Sequence, residues 1–170
     1  MKNKTKITAE QGKQEFFIER EFDAPRELVF AAFSEPEWLV QWMGPSNLSM
    51  EIEKLVNRSG GEYRFLHKDE IGNQYAFNGV IHEVDEPARM IRTFEFEGLP
   101  ERGHVSLEFL TLEALPGERT KLHIQSIFKS VADRDGLISS GMEGGMNEGF
   151  EKLDRLFENR STSFPENDEV

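Results

Sequence analysis

The chain has 170 residues with a formal net charge of −12, 37% hydrophobic and 31% charged residues, and no cysteine. These totals are typical of one globular domain and exclude disulfides and thiolate chemistry. The negative charge argues against a nucleic-acid partner, whose phosphates would be repelled. No apolar run approaches the roughly 20 residues of a membrane helix, and the polar N-terminus lacks the apolar segment of a signal peptide. We therefore expect a cytoplasmic protein without a membrane span.

The two ends of the chain differ from its middle. Residues 1–14 and 159–170 are polar and lack hydrophobic periodicity, and the second of these segments is also acidic. Chain ends of this composition usually fray. We therefore predict a flexible N-terminus, a flexible acidic tail and a single folded domain over residues 15–158.

The folded part begins with a strand and two short helices. Residues 16–23 show the alternation of a strand. Pro25 is typical of a helix start and predicts a helix over Arg26–Ser34. A second short helix begins at Pro36 and ends before Gly44, where a Gly-Pro pair breaks the pattern.

Six further strands follow with little helix between them. They are separated by short segments of turn-forming residues. Short connections between successive strands imply an antiparallel meander. The predicted strands lie at 48–55, 62–68, 73–85, 89–97, 103–114 and 120–129. Together with the first strand they predict an α+β fold built on a curved, seven-stranded antiparallel sheet.

One long helix of about 24 residues is predicted to close the domain and to cover one face of the sheet. It carries two neighbouring stripes, one of glycines and one of large apolar side chains. The stripes consist of Gly141, Gly145 and Gly149, and of Met142, Met146 and Phe150. Each interior glycine costs a helix about 1 kcal/mol relative to alanine, so this face needs a reason. Either the sheet packs directly against the helix backbone, or a ligand lies between them.

Several predicted strands carry large apolar side chains on a single parity, which we expect to face the last helix. These residues are Tyr63 and Phe65, Tyr75 and Phe77, Phe94 and Phe96, Val105, Leu107 and Phe109, and Leu122, Ile124 and Phe128. Rings of this kind either fill the space beneath the helix or line a cavity. The sequence is compatible with both alternatives.

Five segments resemble the SRPBCC superfamily and, within it, the family related to the activator of heat-shock-protein-90 ATPase. They are IEREFDAPRELVF at 18–30, EPEWLVQWMGP at 35–45, GGEYRF at 60–65, GVIHEV at 79–84, and the run from GMEGG to LDRL at 141–156. The resemblance extends from about residue 15 to residue 158. It implies a helix-grip fold, as in START domains and pollen-allergen relatives. In that fold the C-terminal helix lies across a curved sheet, often with a hydrophobic cavity between them.

The resemblance implies several functions. Members of the superfamily bind lipids, polyketides, flavonoids or hormones, some are cyclases, and others are protein-binding modules for the chaperone, with a link to the stress response. No catalytic motif unites them, so the resemblance implies no catalytic residue, and we expect no metal and no cofactor. We expect a hydrophobic or amphipathic ligand of lipid, polyketide or aromatic type between the sheet and the C-terminal helix. The alternatives are a chaperone-associated interaction module and then a cyclase or hydrolase, in a monomer or weak dimer.

Fourteen residues are candidates for contact with such a ligand. The indoles of Trp38 and Trp42, one helical turn apart, either gate the cavity or anchor their helix to the sheet. Methionine suits an adaptable apolar pocket because it is flexible and polarizable, although it also fills gaps in ordinary cores. The candidates are Trp38, Trp42, Tyr63, Phe65, His67, Tyr75, Phe77, Phe94, Phe96, Phe109, Met142, Gly145, Met146 and Phe150.

Polar residues on the predicted strands leave alternatives open. His67 shares parity with Phe65, so it is either a polar anchor in the cavity or a histidine satisfied elsewhere. Arg64 and Arg92 either clamp an anionic head group or pair with surface carboxylates. The four histidines lie on separate strands without the spacing of metal ligands. An enzyme would need two polar groups to converge inside, from His67, Arg64, Arg92 or Tyr75.

Overall fold

The computed structural model describes residues 3–161, and within them an eight-stranded antiparallel sheet packs against four helices. The strands are β1 (Lys6–Thr8), β2 (Glu15–Phe22), β3 (Ser49–Leu55), β4 (Glu62–Lys68), β5 (Gln74–Asp85), β6 (Arg89–Phe96), β7 (Val105–Leu115) and β8 (Arg119–Phe128). The helices are α1 (Arg26–Ser34), α2 (Pro36–Trp42), α3 (Val131–Ser139) and α4 (Met142–Ser161). The strand order is β1-β2-β8-β7-β6-β5-β4-β3. Most of the predicted acidic tail, residues 162–170, lies outside the described residues.

The seven predicted strands are confirmed as β2 to β8, and β1 is an additional strand. It lies within the segment predicted to be a flexible N-terminus and pairs antiparallel with β2, so that Ile7 is opposite Ile18. A strand of three residues is too short for its alternation to be recognised in the sequence. The sheet therefore has one more strand than the sequence predicted, and β1 takes the place of β2 at its edge.

The predicted long C-terminal helix is wrong in one respect, because it is broken into α3 and α4. Ser130 is the N-cap of α3, and its side chain accepts a hydrogen bond from the backbone N–H of Asp133. Gly141, between the two helices, has a φ of +86°, a conformation that favours glycine over every other residue. Gly141 therefore lies at the break between the helices, and the glycine stripe of α4 contains only Gly145 and Gly149.

The register of the sheet arranges the inner face in rows that cross the strands. Phe77 lies opposite both Phe65 and Phe96, and Phe94 lies opposite Ser106. Since Ser106 shares a face with Phe94, the even residues of β7 point inward. The sequence prediction for this strand was wrong, because Val105, Leu107 and Phe109 lie on the outer face. The large apolar residues at the start of β7 were a poor guide to its inner face, which carries Ser106, Glu108, Leu110 and Leu112.

A filled aromatic core lies where β2 meets α1, α2 and α4. Phe22 is fully buried and its ring centroid lies 5.5 Å from that of Phe150 and 5.9 Å from that of Phe157, both in edge-to-face contact. The same helix is fixed to β2 by an ion pair in which both terminal nitrogens of Arg20 donate to the carboxylate of Asp154. One half of α4 is thereby packed tightly on the sheet, and the half that begins at Met142 is not.

Candidate ligand-binding cavity

A cavity of about 1040 Å³ lies between the sheet and the helices α3 and α4. Rings from β4, β5 and β6 form one wall, and Met142, Gly145 and Met146 of α4 form part of the other. Small-molecule sites in proteins usually measure about 300–1,000 Å³ and are lined mainly by apolar side chains with a few polar groups. The cavity is at the upper end of that range and has that character.

Nine of the fourteen predicted contact residues line this cavity. They converge because the sheet places them on adjacent strands, with His67 opposite Tyr75 and Phe77 opposite Phe96. The ring of Phe77 stacks on that of Phe94 at 5.4 Å between centroids, which makes a continuous aromatic wall. The nine residues are Phe65, His67, Tyr75, Phe77, Phe94, Phe96, Met142, Gly145 and Met146.

The other five predicted contact residues are not among the lining residues. Trp38, Trp42 and Phe150 belong to the filled core, Tyr63 is buried beneath the cavity floor, and Phe109 is on the outer face. Trp42 is 5% exposed, and its Nε1–H donates to the carbonyl oxygen of Ala32 at 2.7 Å. These contacts favour the interpretation in which the two tryptophans anchor α2.

The mouth of the cavity is built from segments that the sequence analysis did not assign to the site. The connections before β3, between β4 and β5, and between β6 and β7 lie at one end of the sheet, and α3 begins at the same end. Glycine and proline marked two of these connections as turns, but a turn signal does not say which end of a sheet is open. The additional lining residues include Met43, Gly44, Pro45, Leu48, Asp69, Leu99, Glu101, His104, Ser106, Phe128, Asp133 and Leu137.

Helix α4 fixes the mouth segment at 43–48 through two polar contacts. The carboxylate of Glu148 accepts a hydrogen bond from the backbone N–H of Ser46 at 2.8 Å, and this bond lowers the pKa of Glu148. One turn further along the helix, the ammonium of Lys152 donates to the carbonyl oxygen of Gly44 at 3.0 Å. The segment and the helix therefore form a single wall at the mouth.

The two glycines that remain in the stripe of α4 have different surroundings. A β-carbon added to Gly149 would lie 3.0 Å from the carbonyl oxygen of Trp42, so this glycine allows α2 to approach the helix closely. Within residues 3–161 and apart from the adjoining backbone of α4, the nearest atom to a β-carbon added to Gly145 is Cδ of Pro45, at 3.9 Å. Gly149 thus serves a contact with α2 and not the direct contact with the sheet that was one sequence interpretation, whereas Gly145 faces the cavity.

His67 is a buried polar group in the aromatic wall. It is 6% exposed, and its Nδ1 has no hydrogen-bond partner within residues 3–161. Burial, assisted by the positive charge of Lys152, lowers the pKa of His67, so the imidazole is neutral at pH 7. An unpaired lone pair at Nδ1 is less costly than an unpaired N–H, which favours the tautomer with its proton on Nε2.

A second histidine lies at the mouth. Nδ1 of His104 is 3.0 Å from each carboxylate oxygen of Asp133, which ties the start of β7 to the first turn of α3. Burial is the largest single influence on Asp133 and opposes its ionisation, but the hydrogen bond and charge of His104, the charge of Lys129 and the hydrogen bond with Ser130 together lower the pKa of this carboxyl. With Asp69 and Glu101 also present, the mouth is acidic, and the lining residues of the described chain include neither lysine nor arginine.

The two strand arginines occupy opposite faces of the sheet. Arg64 is on the outer face, where its Nε donates to Glu97 at 2.9 Å, as the surface alternative predicted. Arg92 is on the inner face, where its Nε donates to Glu108 at 3.2 Å and its guanidinium lies 5.0 Å from the ring centroid of Tyr63. Arg92 therefore pairs with a carboxylate, but with one inside the fold.

Two further features of the described residues bear on function. No helix within residues 3–161 combines the length and the apolar character needed to cross a membrane. In the same part of the chain, no group of three or more histidine, aspartate or glutamate side chains is arranged to hold a metal ion.

Comparison with known proteins gives a family match and several similar structures. The family model described as "Activator of Hsp90 ATPase homolog 1-like protein" matches residues 23–158. A crystal structure of a Rhodobacter sphaeroides protein is 22% identical, with a TM-score of 0.81 over 91% of this chain and 99% of that chain. A solution structure of an Arthrobacter aurescens protein is 22% identical, with a TM-score of 0.80 over 97% and 98%. The AHSA1 protein of Silicibacter pomeroyi is 23% identical, with a TM-score of 0.69 over 86% and 99%. No curated protein matches the sequence.

Proposed function

We propose that this chain, which belongs to the Activator of Hsp90 ATPase homolog 1-like family of the SRPBCC superfamily, binds a hydrophobic or amphipathic small molecule of lipid, polyketide or aromatic type. The observation that carries the proposal is the cavity of about 1040 Å³ with its aromatic wall. A ligand in it would contact the rings of β4 to β6 on one side and α4 on the other. Its binding would derive mainly from the removal of apolar surface from water.

Small residues support a cavity that is kept open for a ligand. Protein interiors are normally close-packed, and substitutions that fill a cavity commonly stabilise a fold. Here Gly145 stands where a longer side chain on α4 would enter the cavity, and Ser106 occupies the inner face of β7 beside Phe94. Leucine or phenylalanine at these positions would reduce the volume, so the small side chains are consistent with a binding role.

The polar groups indicate how a ligand would be oriented. The neutral imidazole of His67 and the phenol of Tyr75 lie opposite each other on β4 and β5 and both line the cavity. They offer hydrogen bonds to a hydroxyl or carbonyl group near the mouth. The carboxylates of Asp69, Glu101 and Asp133 at the same end would repel an anionic ligand.

Acid–base chemistry on a bound ligand is a second candidate function, favoured by this pairing of His67 with Tyr75. Directly opposed residues of an antiparallel pair have β-carbons about 5 Å apart, close enough for both side chains to reach one ligand atom. Turnover would then require His67, whereas simple binding would tolerate glutamine there. Mass analysis of the ligand after incubation with the wild-type protein and with His67→Gln separates the two functions.

Native mass spectrometry of the freshly purified protein, beside its denatured mass, tests the binding proposal. We expect an adduct of a few hundred daltons that disappears on denaturation and is absent from Gly145→Leu. A clean apo mass together with no binding of the neutral dye Nile red would contradict the proposal. It would favour the chaperone-interaction alternative, which is then tested by co-sedimentation with the chaperone. We further propose a cytoplasmic monomer or weak dimer, which sedimentation of the purified protein checks for oligomeric state.

A further inference from the structure

We propose that His67 and Tyr75 form a pair of hydrogen-bond donors that recognises a carbonyl oxygen, so that the ligand is an aromatic or polycyclic ketone. The inference rests on the proposed binding function and deepens it, because that function leaves open whether the polar group of the ligand is a hydroxyl or a carbonyl. It also gives the ligand an orientation, with its carbonyl group near the mouth and its apolar body along the aromatic wall.

The two ring nitrogens of His67 have different surroundings. Nδ1 is buried and has no hydrogen-bond partner within residues 3–161. It lies on the edge of the ring that faces Gly44, since a β-carbon added to that glycine would be 2.8 Å from Nδ1 and 4.0 Å from Nε2. In the same part of the chain Nε2 also lacks a partner, but it is not buried. Because the His67 side chain lines the cavity, we assign this accessible nitrogen to the cavity surface.

The shielding of Nδ1 determines which nitrogen carries the proton. Burial lowers the pKa of His67, and the neutral imidazole has one N–H and one lone pair. A buried N–H without an acceptor costs more free energy than an unused lone pair, so the proton is on Nε2. Within the cavity His67 is then a donor and not an acceptor. The ligand group opposite it must supply a lone pair.

Tyr75 supplies a second donor at the same end of the cavity. It lies opposite His67 in the antiparallel pair of β4 and β5, and both side chains line the cavity. Its hydroxyl has no hydrogen-bond partner in the described part of the chain, so its proton is available to a ligand. The β-carbons of directly opposed residues are about 5 Å apart, which allows both side chains to reach one ligand oxygen.

A carbonyl oxygen suits two donors better than a hydroxyl does. It has two lone pairs and no proton, so both donors are used and the ligand has no polar hydrogen left over. A hydroxyl that accepts from both donors would direct its own proton among apolar rings and lose a hydrogen bond. Asp69, the next lining residue along β4, already accepts three hydrogen bonds from Ile71 and Asn73 within the β4–β5 turn. This carboxylate is therefore largely occupied as an acceptor.

The body of the ligand would lie along the aromatic wall. The next row inward from His67 and Tyr75 is Phe65 opposite Phe77, and a two-residue step along a strand advances about 7 Å. The ring of Phe77 stacks on that of Phe94, so the two rings offer a flat surface to a planar ligand. A fused aromatic ketone with its carbonyl between His67 and Tyr75 would bury its rings on this surface.

The test compares three planar ligands that differ at one carbon atom: 9-fluorenone, with a carbonyl group, 9-fluorenol, with a hydroxyl group, and fluorene, with a methylene group. Each displaces Nile red, and the ratio of two affinities within one variant is independent of the affinity of the dye. We expect the wild-type protein to prefer fluorenone to fluorene by about tenfold, the factor that one to two net hydrogen bonds provide. Fluorenol should bind less tightly than fluorenone.

Four substitutions assign this preference to the two donors. H67F and Y75F each remove one donor and should lower the preference, and the double variant H67F/Y75F should prefer fluorene, because the carbonyl would leave water without replacing its hydrogen bonds. His67→Gln keeps an N–H donor and should retain the preference. His82→Phe makes the same change as H67F at an exposed position of β5 and is the matched control.

The infrared spectrum of bound fluorenone provides a direct readout of the hydrogen bonds. Donation to a carbonyl oxygen weakens the C=O bond, so its stretching frequency should be lower in the wild-type protein than in H67F/Y75F. A purely structural role of the two residues would leave this frequency unchanged. His82→Phe should give the wild-type frequency.

The outcomes separate this inference from the proposed function. If Nile red binds but the fluorenone-to-fluorene ratio is the same in the wild-type protein, H67F, Y75F and the double variant, or if fluorenol binds as tightly as fluorenone, the carbonyl assignment is wrong and the binding function stands. If neither Nile red nor the three ligands bind the wild-type protein, the proposed function fails as well. Should H67F not fold, as judged by circular dichroism, Y75F still decides, because Tyr75 is 37% exposed and its hydroxyl bonds to nothing within residues 3–161.

Discussion

The imidazole of His67 lies directly against the backbone of Gly44, so that a β-carbon at position 44 would be only 2.8 Å from Nδ1 of the histidine. Gly44 also has a φ of +90°, which a residue with a side chain rarely adopts. The floor of the cavity on β4 and the segment at its mouth are thereby in contact through one residue without a side chain. A change at either position is expected to affect both stability and the shape of the site.

Gly44→Ala tests this contact. The substitution combines backbone strain with a collision against His67, and we expect a loss of about 2–3 kcal/mol in the free energy of unfolding together with weaker ligand binding. Gly72→Ala is the control, because Gly72 has a φ of +93° but, within residues 3–161, no atom beyond its chain neighbours lies within 4 Å of an added β-carbon. Urea denaturation of Gly72→Ala measures the loss of stability from backbone strain alone. The same measurement on Gly44→Ala gives the loss from strain together with the collision. Equal losses would show that the imidazole moves aside without cost.

His67→Phe should change how stability depends on pH. Burial lowers the pKa of His67 from its ordinary value of 6.5, with a further contribution from Lys152. Well above pH 6.5 the group is neutral in both the folded and the unfolded chain and contributes nothing to the slope. As the pH falls below 6.5, the unfolded chain takes up a proton that the folded chain does not, so stability declines until the lowered pKa is passed.

In the His67→Phe variant, the part of the decline in stability at low pH that comes from His67 should be absent. Phenylalanine has a similar shape and removes the unpaired Nδ1, so we expect the fold to be retained with equal or greater stability at neutral pH. Urea denaturation of both proteins at half-unit intervals between pH 7.5 and 5 measures the difference. Parallel curves would mean that the imidazole titrates normally in the folded protein.

Gly145→Leu should abolish ligand binding and leave the melting temperature almost unchanged. The new side chain would extend into the cavity, where the nearest described atom outside the adjoining backbone of α4 is Cδ of Pro45, 3.9 Å from its β-carbon. Two glycines on the same helix serve as controls. Gly144→Leu adds the same side chain on the exposed face and should retain binding, whereas Gly149→Leu collides with the backbone of Trp42 and should lower the melting temperature. Nile red titration with thermal denaturation measures both properties, and unchanged binding by Gly145→Leu would contradict a ligand at this position.

Much of the sheet could be predicted because its signals are local. Seven strands and the first two helices each show a periodicity or a turn that is complete within about ten residues. The break at Gly141 could not be predicted in the same way, because a glycine that ends a helix and a glycine on its buried face fit the same spacing. The orientation of β7 depended on its neighbours, since only pairing with Phe94 shows that Ser106 points inward.

The candidate site was predictable to the extent that it depends on the face of a strand. Strand parity correctly placed Phe65, Phe77 and Phe94 on the inner face, but it does not say where along the strand the covering helix lies close. Tyr63, one step further along β4, is on the same face and yet is buried below the cavity. The boundary between the filled and the hollow part depends on where α1 packs on β7 and β8 and where α2 packs on β3 and α4. The position of this boundary depends on tertiary packing, so no local sequence pattern predicts it.

The ion pair between Arg20 and Asp154 provides a last test, because it holds α4 in the position that leaves the cavity open. The Arg20 side chain is 2% exposed, and its terminal nitrogens donate to the two carboxylate oxygens at 2.9 and 2.6 Å. Asp154→Ala would leave the guanidinium buried without its counter-charge, which typically costs about 3–5 kcal/mol. We expect that loss in urea denaturation, with weaker Nile red binding as α4 loosens.

The double variant R20M/D154L separates the two roles of the pair. It leaves no charge unpaired and places apolar side chains of similar volume in the same position, so most of the stability should return. If α4 is then held by the contacts of Phe150 and Phe157 with Phe22, Nile red binding should return with it. Recovery of stability without recovery of binding would instead show that the bidentate geometry itself, rather than packing, sets the distance between α4 and the sheet.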